Sequence, residues 1–131
     1  MAAIDSMLRL ILATPRPEAL GAFRAALASD PEVLLKEVAS GAAALEAVRL
    51  AAPDLVVIDA DLPDYAPFPL IQKLLLVNAM VNTAVVSPLS DGEFHEAGEG
   101  LGILGRLPLA PGSREAADLL HKLRQILGRG G

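Results

Sequence analysis

The chain reads as one α/β domain, a doubly wound open sheet of parallel strands with helices on both faces. Three observations lead there. Short strand-type apolar runs alternate five times with segments of helical period, the rhythm of βα units. Leu55-Val56-Val57-Ile58 is apolar without a break and mostly β-branched, as a strand covered on both faces should be. Finally, 131 residues of which 53% are hydrophobic suffice for a single core. Only 3% are aromatic, so Leu, Val, Ile and Ala must fill it.

The first strand, residues 8–12, stops at Thr14-Pro15-Arg16-Pro17. From Pro17, which suits a first helical turn, Leu20, Phe23 and Leu27 recur at helical spacing with Arg16, Glu18 and Arg24 around them. Ser29-Asp30-Pro31 ends that helix. Val33–Val38 is the second strand, interrupted by Lys36 and Glu37 as expected of a sheet edge. Ser40 caps a second helix carrying Ala42, Leu45, Val48 and Leu50, which Ala51-Ala52-Pro53 closes. The third strand runs into a polar loop, and a third helix covers residues 68–77. Thr83-Ala84-Val85-Val86 is the fourth strand, stopping at Ser87-Pro88. Residues 90–97 form a short polar helix, broken by Gly98 and Gly100. Ile103-Leu104 lie in the fifth strand, with Arg106-Leu107-Pro108 in the loop beyond it. Ser113 caps a last helix with Leu119, Leu120, Leu123, Ile126 and Leu127 on its apolar face and Arg114, Lys122 and Arg124 outside. Gly128 and the Gly130-Gly131 tail end it, as a terminus or as the start of a linker.

Composition removes several function classes. Eleven basic against 16 acidic residues give a net charge of −5, the wrong balance for a nucleic-acid module. With no cysteine there is no disulfide framework, thiolate metal site or cysteine nucleophile. A mean hydropathy of +0.45 excludes a disordered tail. The first apolar run carries Arg9 and follows Asp5, which is poor material for a secretory signal. The longest uncharged window, residues 74–90, contains Asn78, Asn82 and Pro88 and reads as buried helix plus strand, not as a membrane span. A cytoplasmic domain with no membrane contact is expected. His95 and His121 stand alone on helices and read as surface residues. No Ser-His-Asp order or HExxH occurs, so no enzymatic activity is expected. Gly98, Gly100, Gly102 and Gly105 form a loose turn around the fifth strand, without the strand-to-helix order of a dinucleotide loop.

In an open parallel sheet, ligands gather at the carboxyl ends of the strands. That singles out Ala13-Thr14, the loop from Asp59, Ser87-Pro88 and Arg106-Leu107-Pro108. Here Pro53-Asp54-Leu55-Val56-Val57-Ile58-Asp59-Ala60-Asp61-Leu62-Pro63-Asp64 resembles the phosphoacceptor segment of the response-regulator receiver (CheY-like) family, an Asp after four apolar residues and before a Leu-Pro. In number, type and order of elements the likeness extends over about residues 8–127 of a single receiver-like domain, 1–131. The resemblance implies a flavodoxin-like (βα)5 three-layer sandwich, five parallel strands in the order 2-1-3-4-5. It further implies a module of a two-component or phosphorelay system in which Asp59 accepts a phosphoryl group from a histidine kinase, a phosphotransfer protein or a small phosphodonor. Ser87 would hydrogen-bond the phosphate and report its presence, Arg106 would pair with it, and the Asp61 carbonyl would help hold Mg²⁺. A downstream protein partner is implied as well.

The departures are as informative. Receivers carry two adjacent acidic residues after the first strand, whereas this chain has Ala13 and Thr14. Mg²⁺ is therefore expected to bind weakly, with the Asp61 side chain and Glu18 as partial substitutes. The family's lysine before the strand-five proline becomes Leu107 when Pro108 is the anchor. It becomes Arg106, with one inserted residue, when the strand is. Ile103 stands where an aromatic switch residue belongs, and Tyr65-Ala66-Pro67-Phe68 where a glycine belongs. The expectation is a degenerate receiver, phosphorylated at Asp59 weakly or not at all. Two alternatives stay open: a phosphorylation-independent pseudo-receiver acting as a protein-interaction module, and a small-ligand-binding flavodoxin-like domain. The second is handicapped by Pro15 and Pro17, which remove two backbone donors from the first loop. The receiver reading needs Asp59 to face an open crevice shared with the Ser87 hydroxyl. The third helix carries more apolar residues than one stripe requires, Leu70, Ile71, Leu74, Leu75, Leu76, Val77 and then Met80. Burial by neighbouring elements is expected, with a partner or homodimer face as the alternative.

Overall fold

Five strands, β1 (Leu8–Ala13), β2 (Val33–Val38), β3 (Leu55–Asp59), β4 (Asn82–Val86) and β5 (Ile103–Leu107), pair in parallel in the order β2-β1-β3-β4-β5. The computed structural model describes residues 7–128, so the Gly130-Gly131 tail and Asp5 lie outside the described residues. The intervening helices are α1 (Gly21–Ala28), α2 (Gly41–Leu50), α3 (Pro67–Val77), α4 (Asp91–Ala97) and α5 (Ser113–Ile126). Among the described residues no helix is long and apolar enough to cross a membrane.

The two-residue period of the strands sorts the interior into two cores. Leu8, Leu10 and Leu12 of β1 with Leu55 and Val57 of β3 meet Phe23 and Leu27 of α1 and Leu119, Leu120 and Leu123 of α5. Ile11 and Ala13 with Val56 and Ile58 face the other way, onto Ala44 and Val48 of α2, Leu70, Ile71 and Leu74 of α3 and Phe94 of α4. Every residue of β3 is buried, as the unbroken apolar run requires. Phe68 and Phe94 pack with ring centroids 5.4 Å apart, tilted by 50°. At the bottom of the sheet Asp54 accepts the Arg9 amide at 2.9 Å, fixing β3 beside β1.

Several local expectations need correction. Pro17 opens a short 3-10 turn, Pro17–Leu20, and the α-helix begins only at Gly21. Ser113 is the first helical residue, not the cap: the chain enters α5 from Gly112, whose amide donates to Glu115 Oε1 at 2.7 Å. Ile126 is exposed, so the apolar stripe of α5 ends at Leu123, with Leu127 packed at its margin. Arg124, expected on the free side, pairs with Asp30 at 3.0 Å and Glu32 at 3.2 Å and ties α5 to the turn before β2. Arg106 and Leu107 belong to β5 itself. A register shift between Thr83 and Ala84 leaves Leu104 as an extra residue in β5, so alternation restarts at Gly105. The surplus of the third helix is only partly buried: Leu75 packs at the core margin, but Leu76 is 87% exposed, and Met80, which lies beyond the end of α3, is 85% exposed.

Candidate functional site

The carboxyl ends of β1, β3, β4 and β5 bring Thr14, Asp59, Ser87 and Leu107 to one edge of the sheet. Asp59 lies in register with Val86, and Val86 with Leu107. Asp59 itself is completely buried, at 0% exposure. A carboxylate withdrawn from water needs donors or a cation to offset its lost hydration.

Four contacts do so. Thr14 donates its hydroxyl to Asp59 Oδ2 at 2.7 Å. The Asp61 amide donates to Oδ1 at 3.0 Å. Arg16 supplies the charge, its terminal NH2 donating to Oδ1 at 3.2 Å. Its Nε lies 2.9 Å from Oδ2 but off the line of a hydrogen bond, so that contact is Coulombic. The same Nε is 3.4 Å from Asp61 Oδ2, so one guanidinium spans both carboxylates. Arg16 is 31% and Asp61 71% exposed, which makes the pair with Asp59 the strong one.

The expectation of an open crevice around Asp59 is thus corrected: the acid is sealed, and the hydroxyl that meets it is that of Thr14, not of Ser87. Ser87 is buried at the end of β4, where its Oγ accepts the Leu89 amide at 3.2 Å and closes a local turn. Arg106 is not brought to Asp59. With alternation reset by the extra Leu104, its side chain donates to Asp91 Oδ1 at 2.8 Å and to the Ser87 carbonyl at 2.9 Å. Leu107 takes the place level with Asp59 and is buried in the α1–α5 core. Ile103 is half-buried against the other core. Glu18 is exposed on the 3-10 turn, where the charge it faces is Arg24. His95 and His121 are exposed.

A divalent cation does not fit these residues. Hard dications take several oxygen ligands, usually anionic. Among the described residues no group of three or more His, Cys, Asp or Glu side chains converges. Ala13 and Thr14 contribute no carboxylate, and a guanidinium already spans the two that remain.

The loop that follows Asp59 is held from the far side. Asp64 accepts the amides of Gly41 at 2.8 Å and Ala42 at 2.9 Å, while Ser40 Oγ takes that of Ala43 at 3.0 Å. Three otherwise unpaired donors at the start of α2 are so satisfied. The amides of Ala42 and Gly41 hold the Asp64 carboxyl below the usual aspartate range. Tyr65 lies against Gly41 so closely that a Cβ there would collide with its ring. Gly41→Ala should therefore cost about 1–3 kcal/mol in chemical denaturation. Gly21→Ala, with nothing within 4 Å, should gain about 0.4–1 kcal/mol. Equal effects of the two substitutions would contradict this packing.

From the sequence Arg16 is a charge beside the first helix; its place between Pro15 and Pro17 restricts its backbone but does not point its side chain at Asp59.

No protein-family model matches the chain, and no curated protein is similar enough to match it. Solved structures do match. The signal receiver domain of the putative response regulator NarL from Mycobacterium tuberculosis superposes with a TM-score of 0.78 at 18% identity, covering 91% of this chain and 98% of that one. The response regulator domain of Thermotoga maritima CheB gives 0.76 at 20% identity, over 93% and 97%. The chemotaxis response regulator CheY4 of Vibrio cholerae gives 0.78 at 15% identity, over 89% and 98%. Near-complete coverage in both directions, with the 2-1-3-4-5 strand order, gives this chain the fold of the response-regulator receiver domains.

Proposed function

We propose that the chain is a receiver-type signalling module that works through protein contact, without phosphoryl transfer to Asp59. The observation that carries this reading is the engagement of both Asp59 oxygens by Thr14, Arg16 and the Asp61 amide at zero exposure. Transfer would require one of those oxygens to attack phosphorus in line while the P–N or P–O bond to the donor breaks. It would also require cations and donors arranged around the three phosphoryl oxygens. Here the donors are spent on the acid itself, Leu107 supplies no charge, and Arg106 is committed to Asp91 and the Ser87 carbonyl. The partner implied is a downstream protein recognising a fixed surface, in place of a phosphodonating histidine kinase or phosphotransfer protein.

The test is intact-mass analysis of the chain incubated with a small phosphodonor and excess Mg²⁺, with Asp59→Asn as the reference. The expected result is no phosphoryl increment above the Asp59→Asn background. Stoichiometric acylphosphate on Asp59 would overturn the proposal.

A further inference from the structure

We infer that Arg16 is the resident counter-cation of this site and that arginine and divalent metal exclude each other there. The inference deepens the phosphorylation-independent reading by naming the residue that enforces it.

Asp59 is fully buried with a guanidinium against both its oxygens, and removing one partner of such a pair leaves an uncompensated charge in the interior. Arg16 provides it with a planar fork that reaches Oδ1, Oδ2 and the neighbouring Asp61 at once. A divalent ion drawn to the same two carboxylates would stand beside a guanidinium within a few ångströms, at a like-charge cost that low local polarity increases. It could enter only by displacing the arginine.

The arm is built to resist displacement. Thr14 Oγ1 donates a hydrogen bond to Asp59 and accepts one from the Arg16 amide at 3.0 Å, so one hydroxyl links the acid to the backbone of its counter-ion. Pro15 fixes the torsion before Arg16. Pro17 bars Arg16 from the helical region, and it sits at φ −134°, ψ 67°. Little backbone freedom remains to be lost when the guanidinium docks, so the ion pair starts from a favourable entropic position.

The experiment is thermal unfolding of the whole chain with millimolar MgCl2, against NaCl of equal ionic strength, for three proteins. The parent should not respond to Mg²⁺. Arg16→Ala should melt about 5–10 °C lower, since a buried carboxylate loses its partner although the arginine is part-exposed, and should regain part of that loss in Mg²⁺. Arg16→Ala/Asp59→Asn should melt above Arg16→Ala without Mg²⁺ and ignore the ion. If Arg16→Ala does not fold, folding of the double variant supports the inference and failure of both overturns it. Equal Mg²⁺ responses of parent and Arg16→Ala, including none in either, also overturn it. Phosphoryl uptake by the parent would sink the functional reading through a different measurement. Metal binding by the parent without such uptake would sink this inference alone.

Discussion

Thr14→Val is expected to lower stability by about 1.5–3 kcal/mol, although the two side chains have nearly the same shape. Thr14 is buried, and its hydroxyl makes the shortest contact to Asp59, at 2.7 Å. A methyl in its place removes one donor from a carboxylate that has no water to turn to. It also strips the Arg16 amide of its acceptor at 3.0 Å. Thr14→Ser keeps the hydroxyl and should lose far less. In an Asp59→Asn background the cost of Thr14→Val should shrink, because a neutral amide needs the donor less than a charge does. Urea denaturation of the parent, Thr14→Val, Asp59→Asn and the double variant measures this coupling directly. A Thr14→Val protein within about 0.5 kcal/mol of the parent would mean that the Asp59 network is not what holds this edge together.

Phe23→Ala should have the largest effect of any single truncation, about 3–5 kcal/mol. The ring is fully buried among the leucines of β1, α1 and α5, and a chain with so few aromatics has nothing comparable to fill the void. Leu76→Ala is the contrast. Leu76 is as apolar as its buried neighbours but 87% exposed, so its truncation should change stability by no more than about 0.5 kcal/mol. The same denaturation series reads both. A large loss for Leu76→Ala would show that the outer face of α3 is covered in solution.

Much of the fold was legible because local chemistry and tertiary structure agree. The β3 run, the Ser40 cap and the leucine spacing of α5 each point to one conformation, and each element adopts it. The position of Asp59 at the end of the central strand was legible for the same reason. Its chemistry was not. Arg16 and Asp59 stand 43 positions apart, and no local pattern couples a residue between two prolines to an acid on another strand. Arg106 was misplaced because the irregularity at Leu104 that turns it toward α4 has no signature in Ile103-Leu104-Gly105-Arg106. The apolar surplus of α3 was legible, but not that Leu76 would stay exposed, because hydrophobicity records a tendency to be buried, not the presence of something to bury it.

One of the two edge ribbons, β2, bears on how neighbouring copies behave when concentrated. Half of its main-chain ladder has no mate, an invitation to a foreign segment to lengthen the sheet. Lys36 projects there into water, and Glu37 is fastened by two bonds to Arg24 of α1, at 2.9 and 3.1 Å. An incoming strand would have to dehydrate an ammonium and disturb that fork before gaining a single ladder bond. The rim is therefore guarded against templated, fibril-like growth, and neutralising Lys36 and Glu37 together is the change that would unguard it.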